Sequence, residues 1–202
     1  KQNEDHGEQT LIRSENTSEK LFQFKNKYVV TPVKSGLMLI HIARAHERIM
    51  FESLLNSLEN NSILSQKTLF PVEIQVSSED SAYLNNAGNV LNELGFDISL
   101  SDEKAVIKGV PSILSDANPK QLIEALLVQI KDDDAVLSSH IHENFAEILA
   151  KRASISYLKP LAYEEMHYLM NQLFACRMPN FTKNGRKIIE IIKTDDIGKM
   201  FG

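Results

Sequence analysis

The chain of 202 residues is 43% hydrophobic and 24% charged, with a formal net charge of −5, an ordinary globular composition with enough chain for one domain or two small lobes around a real core. The acidic balance argues against a domain whose main task is gripping nucleic acid, because phosphate binding needs a positive field, and it leaves room only for a local basic patch. Cys176 is the single cysteine, which excludes an intrachain disulfide and points to a reducing compartment, and no apolar run approaches the roughly 20 residues of a membrane span.

The first residue is Lys1 rather than Met, so the sequence reads as a piece of a longer protein. Residues 1–20 are polar and lack periodicity, as the end of a flexible linker would, and order begins near Leu21–Lys27. Tyr28–Val33 is β-branched and aromatic and predicts a strand, with Pro32 at an edge or strand end because it donates no ladder hydrogen bond. Lys34-Ser35-Gly36 supplies a turn. Leu37–Ile42 returns as a strand apolar on both faces and runs directly into a helix. That helix carries Ile42, Ala45, Ile49, Leu54, Leu55 and Leu58 at helical spacing and ends near Asn60-Asn61.

Gln66–Pro71 leads into a third strand, Val72–Val76, whose apolar and polar residues alternate. Ser77, with Asp80 three residues on, predicts a helix start, and the helix should run to Leu94 and stop at Gly95. Phe96–Leu100 and Ala105–Gly109 flank a polar tetrapeptide and read as a hairpin. Asn118-Pro119 predicts an N-cap and first turn for a helix over 119–131. Asp132-Asp133-Asp134 suits the start of the next helix, over about 134–155. A further helix spans about 163–176, Arg186–Thr194 reads as a closing strand, and 195–201 as a short terminal helix. The fold class is therefore α+β, with hairpins rather than strict βαβ alternation.

Two places carry chemistry. At the junction of the Leu37–Ile42 strand with its helix, His41, His46, Glu47 and Glu52 cluster, as metal ligands do. Without fixed ligand spacing the plainer reading is favoured: Glu47, Arg48 and Glu52 on a solvated helix surface and His46 capping or packing. His140 and His142, two apart on a helix, point to different sides, and His167 stands alone. No Ser/His/Asp grouping, Gly-rich phosphate loop or paired Cys-x-x-Cys occurs. The second place is Gln66-Lys67-Thr68-Leu69-Phe70-Pro71. It is similar to the peptide by which bacterial repair proteins dock on the replication sliding clamp, with a Gln to hydrogen-bond and a Leu-Phe pair to fill an apolar pocket. Its plain alternative is that Leu69 and Phe70 start a half-buried strand.

Four segments in order carry a family resemblance: Ala45-His46-Glu47-Arg48-Ile49 with Glu52; Gln66–Pro71; Ala153-Ser154-Ile155; and Phe181-Thr182 with Gly185-Arg186, closed by Lys199-Met200-Phe201. Over about residues 24–202 the chain resembles the C-terminal domain of the DNA mismatch repair protein MutL, of the bacterial type without endonuclease. The resemblance implies a two-lobed molecule: a flexible linker end at 1–22, a dimerisation lobe of sheet and helices from 23–71 and 150–202, and an inserted external or regulatory α/β lobe over 72–149. It implies a homodimer, with the strands at 28–42 and 187–193 and the helices near 163–176 as candidate surface. It also implies an N-terminal ATPase domain beyond the linker, partners such as MutS and the sliding clamp, DNA met only through the full-length protein, and a bacterial cytoplasm.

Many members of that family are metal-dependent endonucleases, whose junction carries Asp-Gln-His-Ala followed by two glutamates. Here the Asp position is His41, the next is Ile42 and the His position is Ala43; Glu47 and Glu52 remain. The Cys of an Ala-Cys-Arg/Lys element falls at Lys151, and a Cys-Pro-His-Gly-Arg element reads Lys183-Asn184-Gly185-Arg186. Alanine has no donor atom and a lysine cation repels a metal. The implied domain is therefore non-catalytic, with no cofactor. The alternative is a metal-dependent nicking endonuclease holding zinc or manganese at a divergent site.

Overall fold

The computed structural model describes residues 20–60, 63–101, 103–131, 140–155 and 159–202. It is α+β, with two antiparallel sheets and helices packed against each. The first sheet has the order β1-β2-β3-β7, from β1 (Phe22–Phe24), β2 (Tyr28–Val33), β3 (Gly36–His41) and β7 (Ile189–Lys193). It is closed by the far end of the chain: Leu39 lies opposite Val30 on one side and Glu190 on the other. Gly36 has φ +152°, and a Cβ there would stand 2.0 Å from the Ile192 carbonyl oxygen, so the turn into β3 and its approach to β7 both require glycine.

Helix α1 (Ile42–Glu59) leaves β3 with no intervening loop, as the sequence predicts. Its first half packs Ile42, Ala45 and Ile49 with Val29, Met38 and Ile40 of the sheet and with Met166, Leu169 and Leu173 of α6 (Tyr163–Ala175). Its second half turns Phe51 and Leu54 into a larger cluster. There β4 (Ser65–Gln75), β5 (Asp97–Ser101) and β6 (Lys104–Pro111) form the second sheet in the order β4-β6-β5. Helices α4 (Pro119–Ile130) and α5 (Ile141–Ile155) cover it, with Leu122, Leu126, Phe145 and Leu149 buried.

Local signals hold well. The Asp80 amide donates to Ser77 Oγ and the Gln121 amide to Asn118 Oδ1, the two N-caps. Gly95 takes φ +86° after the last turn of helix. The helix expected over 77–94 is broken in two at Ala87, α2 (Ser78–Asn86) and α3 (Gly88–Glu93), where Asn85, Asn86, Gly88 and Asn89 supply weak helix formers. The strand β1 was not expected. Segment 65–71, assigned by the resemblance to the dimerisation lobe of 23–71 and 150–202, pairs with β6 in the second sheet. Of the linker expected over 1–22, residues 1–19 lie outside the described residues, as does the helix start at 134–139, while Leu21 is buried and Phe22 opens β1. A short helix α7 (Thr194–Lys199) follows β7.

Candidate functional site

At the strand–helix junction, His41 is the N-cap of α1, its Nδ1 accepting from the Arg44 amide at 3.4 Å, and its ring meets Tyr28 edge-on at 5.3 Å between centroids. Burial, reinforced by the charges of Arg44 and Lys27, pushes the His41 imidazole down to about 4. Burial also pushes His46 down to about 4, with only a partial opposing pull from Asp116. Both rings are therefore neutral near pH 7. Ala43 offers no donor.

The two glutamates are not solvated, and here the plain sequence reading is corrected. Glu47 and Arg48 are each only 5% exposed. Glu47 receives Nη2 of Arg186 on both oxygens, at 2.9 and 2.6 Å. Arg186 is brought there by a tight turn: the Gly185 amide donates to the Thr182 carbonyl, the Arg186 amide to Thr182 Oγ1, and Gly185 has φ +72°. Glu52 accepts the backbone amides of Arg177 (2.7 Å) and Met178 (3.2 Å) and pairs with Arg48 Nε at 2.9 Å. Arg48 Nε also donates to the Met178 carbonyl. The reason for burial is geometric. α1 serves the first core with one stripe and the second with another, so little of its surface is left to face water.

The carboxylates that the resemblance aligns with metal ligands thus hold the return of the chain, residues 177–186, against α1. Glu47's oxygens face a guanidinium and Glu52's face two amides and a second guanidinium. Lys183 pairs with Glu143 and Asn184 donates to Glu147, both on α5. Lys151, also on α5, is exposed. This donor set does not fit a zinc or manganese ion, because each carboxylate at the junction is already neutralised by an arginine. Among the described residues no three His, Cys, Asp or Glu side chains are grouped to hold a metal. Cys176 caps α6 near Glu52; burial first, then the charge of Glu52, pushes its thiol up to about 11, so it is a poor thiolate donor.

The second place lies on β4, an edge strand. Lys67 pairs with Gly109 and Val72 with Ile107, so four residues, Thr68–Pro71, stand opposite the single residue Lys108. Pro71 has no amide to return to the ladder. The bulge is tied at its base, where Thr68 Oγ1 donates to the Lys108 carbonyl at 3.2 Å. Leu69 is 96% exposed and Phe70 82% exposed. Gln66 is exposed on the ladder opposite Val110. Leu69 and Phe70 therefore do not start a half-buried strand; they project from it. Sequence reasoning missed the bulge, whose only local signal is Pro71, and missed Arg186 as the partner of Glu47.

Comparison with known proteins gives a consistent result. The family model of the MutL C-terminal dimerisation domain matches residues 21–161. The chain is 37% identical over 180 residues to the DNA mismatch repair protein MutL of Bacteroides fragilis, covering 89% of this chain and 29% of that protein. It is 33% identical over 198 residues to the MutL of Phocaeicola vulgatus, covering 98% of this chain and 32% of that protein. To the MutL of Chloroherpeton thalassium it is 33% identical over 183 residues, covering 90% and 29%. The chain spans about three-tenths of the length of these relatives.

Proposed function

Because the chain belongs to the family of MutL C-terminal dimerisation domains, we propose that it joins two copies of a longer mismatch repair protein and presents a docking segment to the replication sliding clamp. The observation that carries the dimer is the outer face of the first sheet. Strand register puts Phe22, Val30, Leu39 and Glu190 in one row on that face, Phe24, Tyr28 and His41 in a second, and Pro32, Leu37 and Ile192 in a third. The opposite face already packs on α1 and α6 through Val29, Met38 and Ile40. A second face this rich in apolar side chains, with only His41 and Glu190 polar among these rows, favours a second cover, and a copy of itself about a two-fold axis supplies one. Phe22 and Phe24, about half exposed in the single chain, would be buried by it.

On this reading the first sheet with α6 forms the dimerisation part and the second sheet with α4 and α5 the external part, with α1 common to both. Two copies held here keep a pair of N-terminal ATPase domains at high effective concentration, in a bacterial cytoplasm, with MutS and DNA reached through the full-length protein. The domain itself is non-catalytic: its junction carboxylates are committed to Arg186, Arg48 and the 177–178 backbone.

Light scattering on the chain should give a dimer at micromolar concentration, unchanged by chelator, and Leu39→Glu should give a folded monomer. A parent monomer overturns the proposal. A dimer that survives Leu39→Glu but is broken by Tyr168→Glu moves the interface to the exposed side of α6. Manganese-dependent nicking of supercoiled plasmid that Glu47→Ala abolishes would establish the endonuclease alternative instead. Gln66→Ala with Phe70→Ala should abolish binding to the sliding clamp.

A further inference from the structure

The bulge on β4 is unusual in what it exposes. An edge strand commonly hides or charges its free side, because unpaired backbone and apolar side chains invite aggregation. Here two large apolar side chains are displayed almost completely, Leu69 at 96% and Phe70 at 82% exposed. The residues around them are firmly placed. Gln66 and Lys67 are in register with Val110 and Gly109 before the bulge, and Val72 to Gln75 with Ile107 to Lys104 after it. Opposite Lys67, Gly109 leaves little room, a Cβ there lying 2.6 Å from Ser65 Oγ on β4 and 3.2 Å from Asp97 Cβ on β5. Within the bulge, Thr68 is the residue whose side chain ties it down, its hydroxyl donating to the Lys108 carbonyl at 3.2 Å and standing 3.5 Å from that of Ile107.

From this we infer that Thr68 is a positioning residue that holds the bulge as a preformed plug, so that Leu69 and Phe70 enter an apolar cleft together while the side chain of Gln66, whose backbone is held on the ladder, meets a hydrogen-bonding group at its rim. The inference rests on the sliding clamp being the partner and adds how the segment is presented to it. A free peptide of the same sequence must give up backbone freedom on binding, whereas the tethered bulge has given it up on folding. Pro71 works in the same direction by fixing its own φ. Replacing the Thr68 hydroxyl by a methyl keeps the shape of the side chain and removes the tie. Thr68 itself touches the partner in no necessary way: its side chain points back to β6.

The test compares binding of a bacterial sliding clamp, by calorimetry or biosensor, to the intact chain, to a linear peptide of residues 65–75, and to variants of the intact chain. The chain should bind on the order of tenfold more tightly than the peptide. Thr68→Val should lose most of that advantage with an unchanged melting temperature, and Thr68→Ser, which keeps the hydroxyl, should restore it. Hydrogen exchange at the Leu69 and Phe70 amides should quicken in Thr68→Val alone. If the peptide binds as well as the chain, or if Thr68→Val binds like the parent, the positioning role is wrong while docking stands. If Phe70→Ala binds like the parent, the docking reading itself is wrong.

Discussion

The Glu47–Arg186 pair should respond asymmetrically to loss of either partner. The Glu47 side chain is 7% exposed and that of Arg186 41%. Arg186→Ala leaves a buried carboxylate facing no cation. Breaking a fully buried pair in this way costs about 3–5 kcal/mol, and because water reaches the outer side of this guanidinium, about 2–3 kcal/mol is expected. Glu47→Gln leaves a guanidinium that can rehydrate through its exposed side, and the amide keeps one acceptor, so the cost should be about 1 kcal/mol. Glu47→Leu with Arg186→Leu should return close to the parent, since a well-packed apolar pair replaces a desolvated ionic one. Urea unfolding at a fixed protein concentration measures all three, the fixed concentration being necessary for a chain that self-associates. Equal costs for the two single variants, or a larger cost for Glu47→Gln, would refute the burial argument. Stabilisation of Arg186→Ala by manganese, with none for the parent, would show that the arginine occupies a place a metal could take.

Gly36→Ala should be among the most disruptive single changes. Its Cβ would meet the Ile192 carbonyl oxygen at 2.0 Å, so β7 must separate from β3, and a loss of about 3 kcal/mol or more is expected, with loss of dimer in light scattering. Acid should weaken the fold before the carboxylates titrate. His46 in the unfolded chain binds a proton below about pH 6.5, while in the fold it does so only near about 4, so its contribution is intact above 6.5 and shrinks as pH falls through that window. Near pH 5 the loss approaches roughly 2 kcal/mol. Thermal melts from pH 7.5 to 5 should show the decline, and His46→Gln should remove part of it, the remainder coming from His41, which is held near about 4 as well; a slope unchanged by that substitution would place the proton uptake elsewhere.

Much of the fold is legible because its signals are local. Ser77, Asn118 and Gly95 each act on backbone groups within four residues, and the Leu37–Ile42 run passes into α1 with no turn residue between them. The break between α2 and α3 was less legible, since Asn85 to Asn89 weaken a helix without forbidding one. The junction was misread for a different reason. Glu47 lies 139 residues from Arg186, and Glu52 is satisfied by backbone amides, which no side-chain pattern announces. A hint was present: Glu47 stands four residues before Phe51 and seven before Leu54, on the stripe that enters the second core. The bulge was hidden because Gln66–Val76 satisfies a strand pattern in composition, while the register shift depends on β6.

Helix α1 has a mechanical consequence. Its 18 residues span about 27 Å, with one end sewn into the first sheet through β3 and the other set in the second core by Phe51 and Leu54. Beside this rod, Lys183–Glu143 and Asn184–Glu147 tie the returning chain to α5 as a second link. The clasp formed by Glu47, Arg48 and Glu52 on residues 177–186 grips the rod at midspan. Force between the two sheets would therefore be borne by a braced strut rather than a hinge, and tension along that line should rupture the contacts at its ends before it bends the middle.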